Sequence, residues 1–134
     1  MAKQFTVEQA NRTLPLVRRI VEDIVSQYRR WQDRVREFEV VSASSTADRP
    51  DARAEELQRE AQLLAAEIEG FVGELTRLGV EFKGYDLGLV DFPAEVDGAP
   101  AYLCWRLGEP SVQFWHSVES GYAGRQPLPG HAVA

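Results

Sequence analysis

The chain has 134 residues and a formal net charge of -6, with 15 basic and 21 acidic side chains. This length is typical of one domain, and a hydrophobic content of 44% excludes wholesale disorder. The acidic balance argues against nucleic acid as the main partner, no apolar run is long enough to span a membrane, and the single cysteine, Cys104, excludes an intrachain disulfide.

The composition of the chain changes near residue 79. Residues 1–78 hold two of the ten glycines and two of the seven prolines, a bias typical of helices followed by strands and turns. We expect a single domain with a helical hairpin over 1–79, a β-meander and return loop over 80–128, and a frayed tail over 129–134. The lone cysteine and the lack of an apolar signal core in MAKQFTVEQ predict a cytoplasmic location.

Two series of apolar residues, over 7–38 and 57–78, are spaced alternately by three and four positions. This spacing puts one apolar stripe along each of two long helices. The polar segment VSASSTADRP connects them, so we expect an antiparallel hairpin. Pro50 suits the first turn of the second helix, preceded by Asp48 or Arg49, and Gly79 suits its C-terminal end.

The start of the first helix carries a capping signal and a breaking signal. Thr6 and Gln9 form a capping box. Pro15 does not suit a helix interior because it lacks a backbone N–H. We therefore expect a short helix over 7–12, followed by a long helix that Thr13 caps.

A two-helix hairpin leaves part of each apolar stripe uncovered. Gly70 and Gly73 thin one side of the second helix, which indicates close packing there against either the chain's own β segment or a second subunit. Segment 7–41 has seven bases and six acids, whereas segment 50–78 has three bases and seven acids. This opposite bias supports the pairing of the two helices.

The second half of the chain contains three strand signals and two turn signals. Asp97-Gly98 is typical of a two-residue hairpin turn, and residues 108–111 fit a four-residue turn. The expected strands form a three-stranded antiparallel meander, and the fold class is therefore α+β, a long helical hairpin packed on this meander. The strands are LGLVDFP at 87–93, AYLCWRL at 101–107 and VQFWH at 112–116.

These two turns fix a register for the meander. Phe92 pairs with Leu103, which pairs with His116, so His116 ends the apolar face that packs on the helices. The opposite face carries Asp91 and Arg106, which lie diagonally and close enough for an ion pair.

His116 and Glu119 are the candidate metal ligands. Imidazole and carboxylate three residues apart can bind a divalent metal or carry out acid–base chemistry, although a histidine that closes the edge of the core gives the same pattern. Asp91, Arg106 and Arg125 form a candidate ligand site, in which Arg125 would hold an anion. Cys104 is interpreted as a small buried hydrophobe rather than a nucleophile.

Several phrases of the sequence are shared with a known family. At LVDFP, LCWRLGE, FWH and GYAGRQPL, and at the opening FTVEQANRTLPLVRRI, the chain resembles the bacterial family called domain of unknown function 2203. The resemblance implies a small bacterial protein of one domain and carries no established activity. The family's marked residues map here to Asp91, Arg106, Glu109, His116, Gly121 and Arg125.

The sequence leaves two functional hypotheses open. The first is a non-enzymatic, self-associating binding or scaffold protein, because the helices offer long apolar seams and the sequence shows no assembled catalytic set. The second is a metal- or small-ligand-binding protein, enzyme or not, with a divalent metal near His116 and Glu119. A homo-oligomer is expected, without membrane contact. Nucleic-acid binding through the arginines around Trp31 is the weakest alternative, because acidic residues of the second helix should pair with them.

Overall fold

A computed structural model describes residues 3–129, so of the expected tail 129–134 only Pro129 lies among the described residues. Helices α1 and α2 form an antiparallel hairpin beside one antiparallel sheet, which confirms the α+β class. The sheet has five strands in the order β1-β2-β3-β4-β5, so the expectation of three strands was wrong. The elements are α1 Val7–Ser42, α2 Ala52–Arg77, β1 Glu81–Gly84, β2 Leu89–Val96, β3 Ala99–Arg106, β4 Phe114–Ser117 and β5 Gln126–Pro127.

Helix α1 runs without a break through Pro15, so the expected division at Thr13 was wrong. The capping box of Thr6 and Gln9 is present and begins the helix. Thr13 does not cap a second helix, since its hydroxyl donates to the carbonyl of Gln9 one turn earlier. Buried apolar residues lie on both sides of Pro15, and their burial outweighs the lost hydrogen bond.

Helix α2 begins at Ala52, so the expectation that Pro50 lies in its first turn, preceded by Asp48 or Arg49, was wrong. Its N-cap is Asp51, whose carboxylate accepts from the backbone N–H groups of the first turn. Gly79 follows the C-terminal end at φ +86°, as its position in the sequence predicts. The backbone N–H of Val80 donates to the carbonyl of Leu75, which completes the glycine-dependent cap.

The hairpin and the sheet share one hydrophobic core. Side chains of α1, of the end of α2 and of the inner sheet face contribute to it. Gly70 has no atom within 4 Å of the position a Cβ would take, so the expected close contact with the sheet does not occur there. The largest fully buried core side chains include Trp105, Phe92, Ile24, Leu57, Leu75 and Leu103.

The polar surface of the hairpin carries ion pairs between α1 and α2. Arg34 lies 3.0 Å from Glu60, and Arg53 lies 3.0 Å from Glu37. The Arg34 pair follows the charge bias of the two segments, with the base on α1 and the acid on α2, whereas the Arg53 pair has the opposite arrangement. Within residues 3–129, neither helix has the length and apolar character needed to cross a membrane.

The sheet register agrees with the predicted one between β2 and β3 and differs by one residue at β4. Phe92 lies opposite Leu103, as predicted. His116 lies opposite Tyr102 rather than Leu103, and Trp115 takes the place opposite Leu103. The shift moves His116 from the core face to the other face of the sheet.

The connection between β3 and β4 explains this shift. The connection spans residues 107–113 and is longer than the predicted four-residue turn, because Val112 is not part of β4. The side chain of Val112 is fully buried instead. The backbone N–H of Val112 donates to the side-chain oxygen of Asn11 on α1, at 2.7 Å. The indole N–H of Trp105 donates to the carbonyl of Glu109. Contacts with α1 and with the core therefore set the register of β4, rather than the local turn.

Candidate metal centre

Three side chains that can ligate a metal come together on the face of the sheet opposite to the helices. Asp91 on β2 lies directly opposite Cys104 on β3, and His116 on β4 lies beside them. One potential ligand atom from each residue lies within 4.8 Å of the others. All three residues are buried, with exposed fractions of 4%, 0% and 3% for Asp91, Cys104 and His116.

The hydrogen bonds of His116 define which ring nitrogen carries a proton. Its Nδ1 lies 2.8 Å from the backbone carbonyl oxygen of Ser117, which can only accept, so Nδ1–H donates. In the neutral ring, Nε2 is then without a hydrogen, and it lies 2.9 Å from Oδ1 of Asp91. An unprotonated nitrogen and a carboxylate oxygen repel at this distance, so a proton or a metal cation must lie between them.

Burial also affects the acidities of the other two groups. Desolvation raises the pKa of Asp91, and the hydrogen bond with His116 opposes this rise. Desolvation, together with the nearby carboxylate of Asp91, raises the pKa of Cys104 to about 12. Without a metal, Cys104 is therefore a neutral thiol at neutral pH, and a bound cation would replace its proton.

A cavity of about 340 Å³ opens beside this cluster, and Asp91 and His116 form part of its wall. The remaining wall combines polar and apolar groups from β1, β2, β3 and the return loop. Cys104 is not part of the wall. The other lining residues are Lys83, Leu89, Tyr102, Val118, Gly121 and Tyr122.

The two predicted metal ligands differ in their surroundings. His116 lies in the buried cluster, whereas Glu119 is exposed on the loop after β4. Among residues 3–129, Glu119 does not belong to the cluster of possible metal ligands around His116. The imidazole instead meets the carboxylate of Asp91, 25 positions earlier in the chain.

The predicted ion pair between Asp91 and Arg106 does not form, so that expectation was wrong. Asp91 faces His116, and the Nη1 of Arg106 donates to the hydroxyl of Tyr122 at 3.1 Å. Tyr122 belongs to the cavity wall, so Arg106 contacts the site only through this hydroxyl.

Arg125 holds the return loop against the end of β3. Its Nη2 lies 2.8 Å and 3.0 Å from the two carboxylate oxygens of Glu109, and its guanidinium stacks 3.9 Å from the ring centre of Phe114. The same nitrogen reaches the backbone carbonyl of Cys104 at 3.4 Å. The charge of Arg125 is therefore already paired with Glu109, and its contact with the cluster is through the backbone carbonyl of Cys104.

Cys104 is the cluster residue that sequence reasoning did not place in a site. The predicted pairing of β2 with β3 already puts Cys104 opposite Asp91, so this register was the available signal. The shifted register of β4 adds His116 to the pair, and no local pattern indicates that shift.

Fold and cluster together define a class of protein: an α+β domain in which a helical hairpin supports a sheet with a buried Asp-Cys-His centre. A family model described as uncharacterized conserved protein (DUF2203) matches residues 3–128, and the chain belongs to that family. Comparison with curated proteins and with solved structures found no match.

The donor set of the cluster suits a transition metal. Thiolate and imidazole are ligands that Zn²⁺ prefers, and a carboxylate completes the mixed sets seen in zinc sites. The Nδ1–H bond from His116 to the carbonyl of Ser117 is the arrangement that orients a metal-binding imidazole. Three protein ligands leave a fourth tetrahedral position open, as in zinc sites that bind a water or a substrate.

Proposed function

We propose that this protein binds Zn²⁺ through Asp91, Cys104 and His116, with the open fourth position directed to the adjacent cavity. The observation that carries the proposal is the short contact between Nε2 of His116 and Oδ1 of Asp91, with the Sγ of Cys104 beside them. These three atoms are all acceptors or anions once the thiol loses its proton, and a divalent cation satisfies them together.

Burial strengthens this proposal. Surface carboxylates and imidazoles often lie together without a metal, but burial of polar groups costs free energy unless they are paired. Asp91 and His116 are the buried polar or charged residues of the described chain, and both belong to the cluster. In the metal-free chain the two residues pair with each other, and zinc would take the place of the proton between them.

Equilibrium dialysis of the purified chain against Zn²⁺, followed by metal analysis, tests the proposal. We expect one zinc per chain, and we expect the substitutions His116→Ala and Cys104→Ser to abolish binding. Glu119→Gln is the matched control, since Glu119 is exposed and should leave the stoichiometry unchanged. Circular dichroism establishes that each variant is folded before dialysis. Equal zinc content in the wild type and in folded His116→Ala and Cys104→Ser would refute the proposal.

Self-association through the hairpin is a second candidate function, which a groove along α1 and α2 favours. Two adjoining cavities of about 240 and 260 Å³ share Trp31 and Ala65 as lining residues. Tyr28 and Trp31 stack at a ring distance of 5.7 Å, and both remain half-buried. A second copy of the hairpin would cover these rings and complete a four-helix bundle.

Light scattering after size-exclusion chromatography tests this second candidate. We expect a dimer at micromolar concentration, and we expect Trp31→Gln to shift the mass to that of a monomer. Leu63→Gln is the control, because Leu63 is 68% exposed and lines a different cavity. A wild-type mass equal to that of one chain at this concentration would rule out self-association.

A further inference from the structure

Tyr122 lines the cavity beside the candidate metal centre, and its hydroxyl hydrogen has no acceptor among the described residues. The Nη1 of Arg106 donates to the Tyr122 oxygen at 3.1 Å, so that oxygen already serves as an acceptor. The hydrogen of the hydroxyl therefore remains available to another acceptor. Donation from a guanidinium also makes the Tyr122 hydroxyl a stronger donor.

Lys83 supplies a second donor and a positive charge to the same cavity. Its ammonium lies 3.0 Å from the carboxylate of Glu81. An ammonium has three hydrogens, so this pairing leaves others for a ligand. Hydrogen bonding with Glu81 raises the pKa of Lys83, which keeps the group charged at neutral pH.

The rest of the wall favours a short apolar group. Leu89, Val118 and Gly121 line the cavity beside these donors. A volume of about 340 Å³ exceeds what an inorganic anion alone would fill. A ligand that fits this wall has one oxyanion end and a small aliphatic part.

We propose that the cavity binds a small aliphatic carboxylate, whose oxygen atoms meet the metal, Tyr122 and Lys83 while its alkyl part contacts Leu89 and Val118. This inference rests on the proposed zinc site and names the ligand class of its open position. Phosphate fits less well, because its additional oxygens and charge exceed the donors that the described wall offers.

The arrangement assigns a role to Arg106, which the sequence had suggested as part of a ligand site. Arg106 positions Tyr122 and does not itself line the cavity. Replacing Arg106 should therefore weaken carboxylate binding through Tyr122 and leave metal binding intact. The substitution Arg106→Gln tests this role of Arg106.

Cobalt is the probe for the experiment, since Co²⁺ replaces Zn²⁺ in such sites and its absorption reports both the thiolate ligand and changes at the open position. The cobalt-loaded full chain is titrated at constant ionic strength with acetate, propionate, butyrate and phosphate. We expect saturable spectral changes with the carboxylates, with affinity rising about two- to fourfold for each added methylene. Phosphate should bind more weakly than butyrate.

Variants separate the ligand site from the metal site. Tyr122→Phe should weaken butyrate binding about tenfold while the cobalt–thiolate absorption is unchanged. Tyr85→Phe is the matched control, because Tyr85 stacks on Tyr28 at the hairpin groove and should leave butyrate affinity as in the wild type.

The outcomes distinguish this inference from the zinc proposal. A cobalt-loaded chain that responds to none of the carboxylates, or that binds phosphate more tightly than butyrate, overturns the ligand assignment and leaves the metal site standing. A chain that takes up no cobalt overturns both proposals. Equal butyrate affinities for Tyr122→Phe and the wild type would remove Tyr122 from the site.

Discussion

The Nε2 atom of His116 and the Oδ1 atom of Asp91 lie 2.9 Å apart in the buried part of the sheet, while Nδ1 of the same imidazole donates to the carbonyl of Ser117. With neutral His116 and ionised Asp91, neither facing atom carries a hydrogen. The pair therefore requires a cation. A proton fulfils this requirement in the metal-free chain, and zinc would fulfil it in the loaded one.

The first prediction is that zinc stabilises the folded chain. A ligand that binds only the native state at 100 times its dissociation constant adds about 2.7 kcal/mol to the free energy of unfolding. For a chain of this length, this corresponds to a rise in melting temperature of about 8–12 °C. Calorimetry with and without Zn²⁺ measures the rise, and a chelator should reverse it. In folded His116→Ala, the melting temperature should not respond to zinc, and a response equal to the wild type would contradict the prediction.

The second prediction concerns the reactivity of Cys104 in the metal-free chain. The thiolate is the reactive form, and burial raises the pKa of this thiol to about 12. We expect a thiol-specific reagent at pH 8 to modify native Cys104 far more slowly than the urea-unfolded chain. The absorbance of the chromophore that the reagent releases gives both reaction rates. Equal rates in the native and unfolded states would show that Cys104 is not buried as described.

The helical half of the fold could be predicted from the spacing of its apolar residues. The Gln9 and Thr6 capping box and the glycine at position 79 also marked real helix ends. Pro15 misled the prediction because propensity is a local property, whereas the buried stripe on both sides of Pro15 keeps α1 continuous.

The sheet could be predicted only in part. Asp97-Gly98 fixed the pairing of β2 with β3 because a two-residue turn leaves one register. Strand β1 is four residues long with a charged face, and β5 has two residues, so neither gives a periodic signal. The position of His116 depends on the hydrogen bond between Val112 and Asn11, which are 101 positions apart in the sequence. A pattern among neighbouring residues cannot predict a contact at that separation.

The third prediction concerns the ion pair that holds the return loop. The side chains of Arg125 and Glu109 are each only 13% exposed, and the carboxylate also accepts from the backbone N–H of Arg106. Glu109→Gln leaves the Arg125 charge buried without its counter-charge, so we expect a loss of about 2–4 kcal/mol in the free energy of unfolding. Urea unfolding followed by circular dichroism measures this loss.

A pair on the hairpin surface gives the control for this substitution. Glu37 lies 3.0 Å from Arg53, close to the 2.8 Å between Glu109 and Arg125. The side chains of Glu37 and Arg53, however, are 44% and 41% exposed. Glu37→Gln should therefore leave the free energy of unfolding nearly unchanged. Comparable losses for the two substitutions would mean that the Arg125 pair contributes no more than a surface pair.

The fourth prediction compares two glycines that both adopt positive φ. Gly88, at φ +63°, lies against α1, and a Cβ there would come within 2.8 Å of Leu107 Cβ and 2.9 Å of Val21 Cγ1. Gly98, at φ +80°, has no atom within 4 Å of that position. Alanine at either site bears the backbone strain of about 1 kcal/mol, but only Gly88→Ala adds overpacking of about 1–3 kcal/mol.

Urea unfolding of the two alanine variants distinguishes these contributions. Because the backbone strain is common to both sites, the difference between the two losses measures how closely Gly88 packs against Leu107 and against Val21 of α1. Equal losses for Gly88→Ala and Gly98→Ala would mean that Leu107 and Val21 move aside at no cost, and the close packing described at Gly88 would then be wrong.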